Sequence, residues 1–136
     1  MNTCIFCKIV SGQIPNHTVY EDSHVLAFLD INPRSEGHTV VVPKVHAETI
    51  FDLNDELEKE LMVGIKRAME KLELRLSPDG FNVGWNHGVA GGQEVAHLHI
   101  HIFPRWNGDE GKSVHAVVNR PGEKVLEDVA KIVQGR

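Results

Sequence analysis

Residues 97–103 read His97-Leu98-His99-Ile100-His101-Ile102-Phe103, three histidines alternating with branched aliphatic residues. Alternation of period two fits a β-strand, whose successive side chains point to opposite faces. One face then carries the three imidazoles and the other Leu98, Ile100 and Ile102. Same-face neighbours lie roughly 6.5–7 Å apart along a strand, too far to hydrogen-bond one another but suited to lining one small polar site. Burying three imidazoles without partners is costly. The row therefore faces solvent, binds a metal, or performs proton and nucleophile chemistry. A lone strand histidine is ordinarily a structural residue, whereas three on one face point to function.

Two further stretches bear on chemistry. Cys4 and Cys7 are the only cysteines, and their C-x-x-C spacing reads as a zinc half-site or a redox pair. No βαβ pattern surrounds them, which weakens the redox option. The glycine-rich run His87-Gly88-Val89-Ala90-Gly91-Gly92-Gln93-Glu94 leads directly into the histidine stretch. Such a loop is often only a turn, but it exposes backbone N–H groups that can cradle an anion without side-chain charge.

The elements that must hold these groups follow from period and punctuation. Ser11-Gly12 and Pro15 mark a turn after Cys4–Val10. Thr18–Glu21 and Val25–Leu29 form two short strands about Asp22-Ser23, a predicted hairpin. Residues 30–37 form a loop broken by Pro33 and Gly37, and His38–Val42 a β-branched strand stopped by Pro43. Leu57, Leu61, Ile65, Ala68 and Leu72 recur every three or four residues, which predicts an amphipathic helix from Asn54 or Asp55 to Ser77-Pro78-Asp79-Gly80. Its solvated face carries Glu58, Lys59, Lys66, Arg67, Glu70 and Lys71, with Lys66 and Glu70 at ion-pair spacing. Phe81–Asn86 predicts a further strand and residues 105–111 a loop. Val125, Leu126, Val129, Ile132 and Val133 predict a final helix over Glu123–Val133.

Bulk properties narrow the classes. The chain has 136 residues, 41% hydrophobic and 24% charged, with no repeat or linker, and reads as one soluble domain over 1–136. A formal charge of −5 without a basic run argues against binding a nucleic acid polymer. No apolar stretch is long enough for a membrane span, and Met1-Asn2-Thr3-Cys4 opens no basic-then-apolar export signal, so the expected location is cytoplasmic.

The stretch 97–103 resembles the histidine triad (HIT) superfamily of nucleotide hydrolases and transferases at every position of its His-φ-His-φ-His-φ-φ pattern, where φ is apolar. Most of the chain shares the likeness: Phe6-Cys7-Lys8-Ile9, Ala27–Pro33, Gly37–Lys44, Asn86 and Gly91-Gly92-Gln93 fall in the family's order. The resemblance implies an α+β fold, an antiparallel sheet of about five strands with one long helix, to which the residue pattern adds the C-terminal helix. It also implies a homodimer whose sheets join. It makes His99 the nucleophile that attacks an α-phosphorus to give a covalent nucleotidyl-histidine, its other ring nitrogen bonded to a backbone carbonyl. An imidazole with a reference pKa near 6.5 suits that role, being largely neutral at pH 7. His101 and His38 would contact phosphate and leaving group, while Asn86 and the amides of Gly92, Gln93, Glu94 and Val95 would hold charge on the phosphoryl oxygens.

By the same resemblance the nucleoside of an AMP or GMP derivative would lie against Phe6, Ile9, Phe28, Leu29, Asp30 and Ile31, with Asp30 accepting from the ribose hydroxyls. Read alone, Phe6, Ile9 and Phe28 are equally core residues. Family branches with a Cys₂His₂ site imply a structural zinc on Cys4, Cys7, His46 and His97. One departure stands out: many members carry Ser or Thr where this chain has Glu94, a carboxylate that would repel phosphate unless it turns outward. The expected activity is hydrolysis of nucleoside phosphoramidates or related nucleotidyl conjugates. Alternatives are cleavage of dinucleoside polyphosphates, a noncatalytic nucleotide-binding dimer, and a metalloenzyme using all three strand histidines. His17, His24, His87 and His115 receive no role.

Overall fold

The computed structural model describes residues 3–135. Met1, Asn2 and Arg136 lie outside it, and with them the first two residues of the stretch read for an export signal. Strands β1 (Thr18–Glu21) and β2 (Val25–Leu29) form the expected hairpin, turned by Asp22, whose Oδ1 accepts from the backbone N–H groups of His24 and Val25, both at 2.8 Å. Strand β3 (Thr39–Pro43) pairs with β2. The histidine stretch continues as β5 (Ile100–Arg105), flanked by β3 and by β4 (Gly80–Gly84). The five strands make one antiparallel sheet in the order β1-β2-β3-β5-β4.

Both faces of the sheet are covered at its centre, which explains why Val25–Phe28 is a continuous buried run rather than an alternating one. On one face the long helix α2 (Asp55–Leu76) packs Leu61, Ile65, Ala68 and Leu72 against Val25, Ala27, Val41, Ile100 and Ile102. The side chain of Asn54 caps this helix by accepting from Leu57 N–H at 2.9 Å. Gly64 lies on the buried stripe, and a Cβ there would stand 2.7 Å from a methyl of Val25, so glycine sets how closely helix and sheet approach. On the opposite face Phe6, Ile9 and Val10 of a short helix, α1 (Ile5–Val10), pack with Ile14 against Leu26, Phe28, Val40 and Val42. The histidines share this second face.

Several expectations need correction. Helix α1 has no counterpart in the periodicity reading, because six residues are too few to establish a helical period. Regular pairing of the histidine strand starts at Ile100, not His97. Its partner strand ends at Pro43, which has no N–H to donate, and Leu98 N–H bonds instead to Ala47 O at 2.7 Å. The two-sided alternation nonetheless persists through 98–102, with Leu98, Ile100 and Ile102 in the α2-side core. Glu70 pairs with Arg67 at 2.7 Å, not with Lys66. The last helix, α3 (Leu126–Gln134), starts three residues later than expected and buries none of its residues, Leu126 being 80% and Val133 79% exposed. Among the described residues no helix is long and apolar enough to cross a membrane.

Candidate active site

His97 stands where two clusters meet. It is fully buried, and its Nε2–H donates to the carbonyl of Pro43 at 3.0 Å, which places the ring's lone pair on Nδ1. That Nδ1 lies 3.4 Å from Cys4 Sγ and 3.6 Å from Cys7 Sγ, and Cys7 Sγ lies 3.2 Å from His46 Nδ1. All four donor atoms fall within 4.8 Å of one another. Tetrahedral zinc with bonds of about 2.3 Å to sulfur and 2.0–2.1 Å to nitrogen would separate such donors by roughly 3.5 Å, so the set fits. The Pro43 carbonyl supplies the outer hydrogen bond that a ligating imidazole ordinarily makes. Burial lowers the pKa of His97, which favours the neutral form a ligand needs, while the Pro43 bond partly opposes the shift.

The backbone carbonyl of the same residue accepts from His99 Nδ1 at 2.8 Å. A carbonyl can only accept, so the proton sits on Nδ1 and Nε2 of His99 carries the lone pair. His99 is 8% exposed and lines the cleft, with the Phe6 ring centroid 4.9 Å from its own.

The other two histidines have the opposite tautomer. Arg34 N–H donates to His38 Nδ1 at 3.1 Å, so the His38 proton is on Nε2. That nitrogen faces His101 Nδ1 at 3.0 Å and donates to it, which leaves the His101 proton on Nε2. Burial is the main reason both pKa values fall, His101 to about 4, with His99 and His38 adding to the effect on His101. The pair is neutral at pH 7, and a chain of donors runs from the Arg34 amide through His38 to His101. Phe103 covers both rings, stacked on His101 at 5.6 Å and tilted against His38 at 4.3 Å. Asp30, His38 and His101 also bring donor atoms within 4.8 Å of one another. The Arg34 bond, however, keeps a proton on the His38 nitrogen that would have to ligate, which disfavours a metal there.

These side chains line one cleft of about 1740 Å³. Phe6, Ile9, Phe28, Leu29, Asp30 and Ile31 form one part of it, and Asn86, Gly92, Glu94 and Val95 another. Asp30 Oδ1 accepts from Asn32 N–H at 2.8 Å, and Oδ2 lies 3.6 Å from His38 Nε2. Ile31 is 87% exposed, at the rim.

Gln93 does not join the lining. Its Oε1 accepts from Gly88 N–H at 2.9 Å, while Nε2 donates to the carbonyls of Glu48 at 2.8 Å and Val95 at 3.0 Å. The glutamine braces the glycine loop with its side chain. Glu94 is exposed yet lines the cleft. Sequence reasoning passed over the Arg34 amide, because a main-chain donor has no residue type to mark it. It also passed over Trp106, Lys112 and Val117, which line the cleft from beyond β5. Arg105 holds that segment in place with two bonds to Asp109 and one to the Lys112 carbonyl.

Comparison with known proteins agrees with this geometry. Residues 11–108 match the HIT domain. A HIT-like protein of Methanocaldococcus jannaschii is 48% identical over 127 residues, covering 93% of this chain and 98% of the relative. An adenosine 5′-monophosphoramidase of Schizosaccharomyces pombe is 41% identical over 112 residues, covering 82% and 81%. The crystal structure of a HIT family protein from Bacillus anthracis superposes with a TM-score of 0.85 at 38% identity, covering 98% of this chain and 94% of the other. With the fold, the histidine stretch and these likenesses in agreement, the chain belongs to the HIT domain family.

Proposed function

We propose that the protein is a nucleotide hydrolase acting at the α-phosphorus of AMP or GMP phosphoramidates and related nucleotidyl conjugates. The observation that carries this reading is the division of tautomers: His99 has a bare Nε2, while neighbouring His101 has a protonated one. In the proposed reaction His99 Nε2 bonds to phosphorus as the bond to the leaving amine breaks. The His97 carbonyl stabilises the positive charge that then develops on the His99 ring. The P–N bond breaks as the departing amine takes a proton from solvent, with His101 Nε2–H oriented to hydrogen-bond the leaving group. In the second step water attacks phosphorus, its proton returns to solvent, and the bond to His99 Nε2 breaks. Backbone amides at Gly92 and Val95, with Asn86, would hold the phosphoryl oxygens, and Asp30 the ribose. The S. pombe phosphoramidase supports this substrate class.

Zinc on Cys4, Cys7, His46 and His97 would act as a structural cross-link from the N-terminal helix to the histidine strand. A single domain, a cytoplasmic location and a homodimer complete the proposal. In support of the dimer, β4 is a sheet edge and carries exposed Val83, followed by exposed Trp85.

The test is trapping, under alkali-stable and acid-labile conditions, of label from adenosine 5′-phosphoramidate labelled at phosphorus. Wild-type protein is expected to carry label on His99 during turnover, and His99→Asn to bind AMP but carry none. Turnover without labelled protein, or label persisting in His99→Asn, would refute the covalent route.

A further inference from the structure

The proposed zinc and nucleoside sites share a wall. Cys4 caps α1 and Cys7 lies within it, while Phe6 between them and Ile9 one turn on line the cleft. The Phe6 ring centroid stands 4.9 Å from that of His99, 5.9 Å from Phe28 and 5.9 Å from His97. A second link runs through His97, whose ring presents Nδ1 to the two sulfurs while its carbonyl fixes the His99 ring. We infer that zinc at Cys4, Cys7, His46 and His97 and a nucleotide in the cleft bind cooperatively, each tightening the other by the same factor, through Phe6 of α1 and the main chain of His97. The inference rests on the nucleotide reading above.

The reason lies in how weakly α1 holds itself. Six residues are too few for a helix to persist on local bonds, and Ile9 is its only buried residue. Without the thiolate tether, α1 spends part of its time undocked, and a nucleotide must then spend binding energy to order Phe6 and Ile9. With the tether in place that cost has already been met. Conversely, a nucleoside packed on Phe6 holds Cys4 and Cys7 beside His46 and His97, which lowers the ordering cost of the metal site. Linkage makes the two effects equal.

The experiment measures both arms of the cycle on the full chain. Zinc affinity is read by competition with a chromophoric chelator, with and without saturating AMP, and AMP affinity by calorimetry on zinc-loaded and zinc-stripped protein. Roughly tenfold enhancement in each arm, equal within error, is expected. Phe6→Ala should lower the zinc affinity measured without AMP, because α1 docks less firmly, and should lose the AMP enhancement; Phe6→Leu serves where the alanine variant fails to fold and should show a reduced factor. Asp30→Asn, away from α1, should bind AMP less tightly yet retain the full factor. Amide exchange supplies a readout independent of ligand affinity. Stripping zinc should speed exchange in residues 4–11 while residues 39–43 and 100–105 stay protected. Equal AMP affinity with and without zinc would overturn the inference alone. Protection lost uniformly across the sheet would overturn it too, since zinc would then hold the whole fold. Zinc-loaded protein that binds no AMP would overturn the nucleotide reading and this inference with it.

Discussion

Acidification of the His38–His101 pair offers the most direct check on the proton arrangement. His101 is packed among His99, His38 and Phe103, with Asp30 the nearest carboxylate, and burial pushes its pKa to about 4 against 6.5 for a free imidazole. Between those values the unfolded chain binds a proton that the folded chain does not, so stability rises with pH through this window. The contribution is complete above the unfolded value and disappears as pH falls toward the folded one. At 1.36 kcal/mol per pH unit the whole effect is on the order of 3 kcal/mol, of which about 2 kcal/mol is lost by pH 5. His101→Gln preserves an acceptor for His38 Nε2–H and removes the titration. Urea denaturation of both proteins at pH 7.5 and pH 5 leaves zinc release common to the two, so the difference reports His101 together with its coupling to His38 and His99. Wild type should lose about 2 kcal/mol more than His101→Gln over that interval. Equal losses would show that His101 is not held neutral by its surroundings, and the donor chain from Arg34 would fail with it.

Three other outcomes follow from the geometry. Imidazole nitrogen NMR at neutral pH should show the proton of His99 on Nδ1 and those of His38 and His101 on Nε2; the reverse assignment at His99 would leave no bare Nε2 for the proposed attack. Glu94→Ser should raise kcat/KM about two- to fivefold at low ionic strength, the gain shrinking as salt screens the exposed carboxylate, whereas slower turnover would contradict the repulsion argument. Gly64→Ala places a Cβ within 2.7–3.0 Å of three Val25 side-chain atoms, and Val25 is only 1% exposed. Overpacking of about 1–3 kcal/mol should exceed the roughly 1 kcal/mol gained in helix propensity, so thermal unfolding is expected at lower temperature, and a stabilised variant would refute the close-approach reading.

Periodicity and punctuation were enough to place the hairpin, β3, the long helix starting at Asn54 or Asp55 and the histidine stretch, because each of these elements writes its own period or stop signal into consecutive residues. The separation of Leu98, Ile100 and Ile102 from the histidines was legible for the same reason. Other features depended on residues far apart in the chain. Nothing local indicates that Pro43 would supply a carbonyl to His97, that the Arg34 amide would set the tautomer of His38, or that Gln93 would brace a loop rather than face a ligand. The composition of α3 predicts a helix, but whether its apolar side finds a partner depends on where the chain carries it, and within this chain it buries none of its residues. The three alternating histidines were therefore determined by sequence as one polar row. Only the tertiary structure made them chemically unequal, because the state of each ring is set by the groups its nitrogens meet: the Pro43 carbonyl and two cysteine sulfurs at His97, a backbone carbonyl at His99 and another histidine at His101.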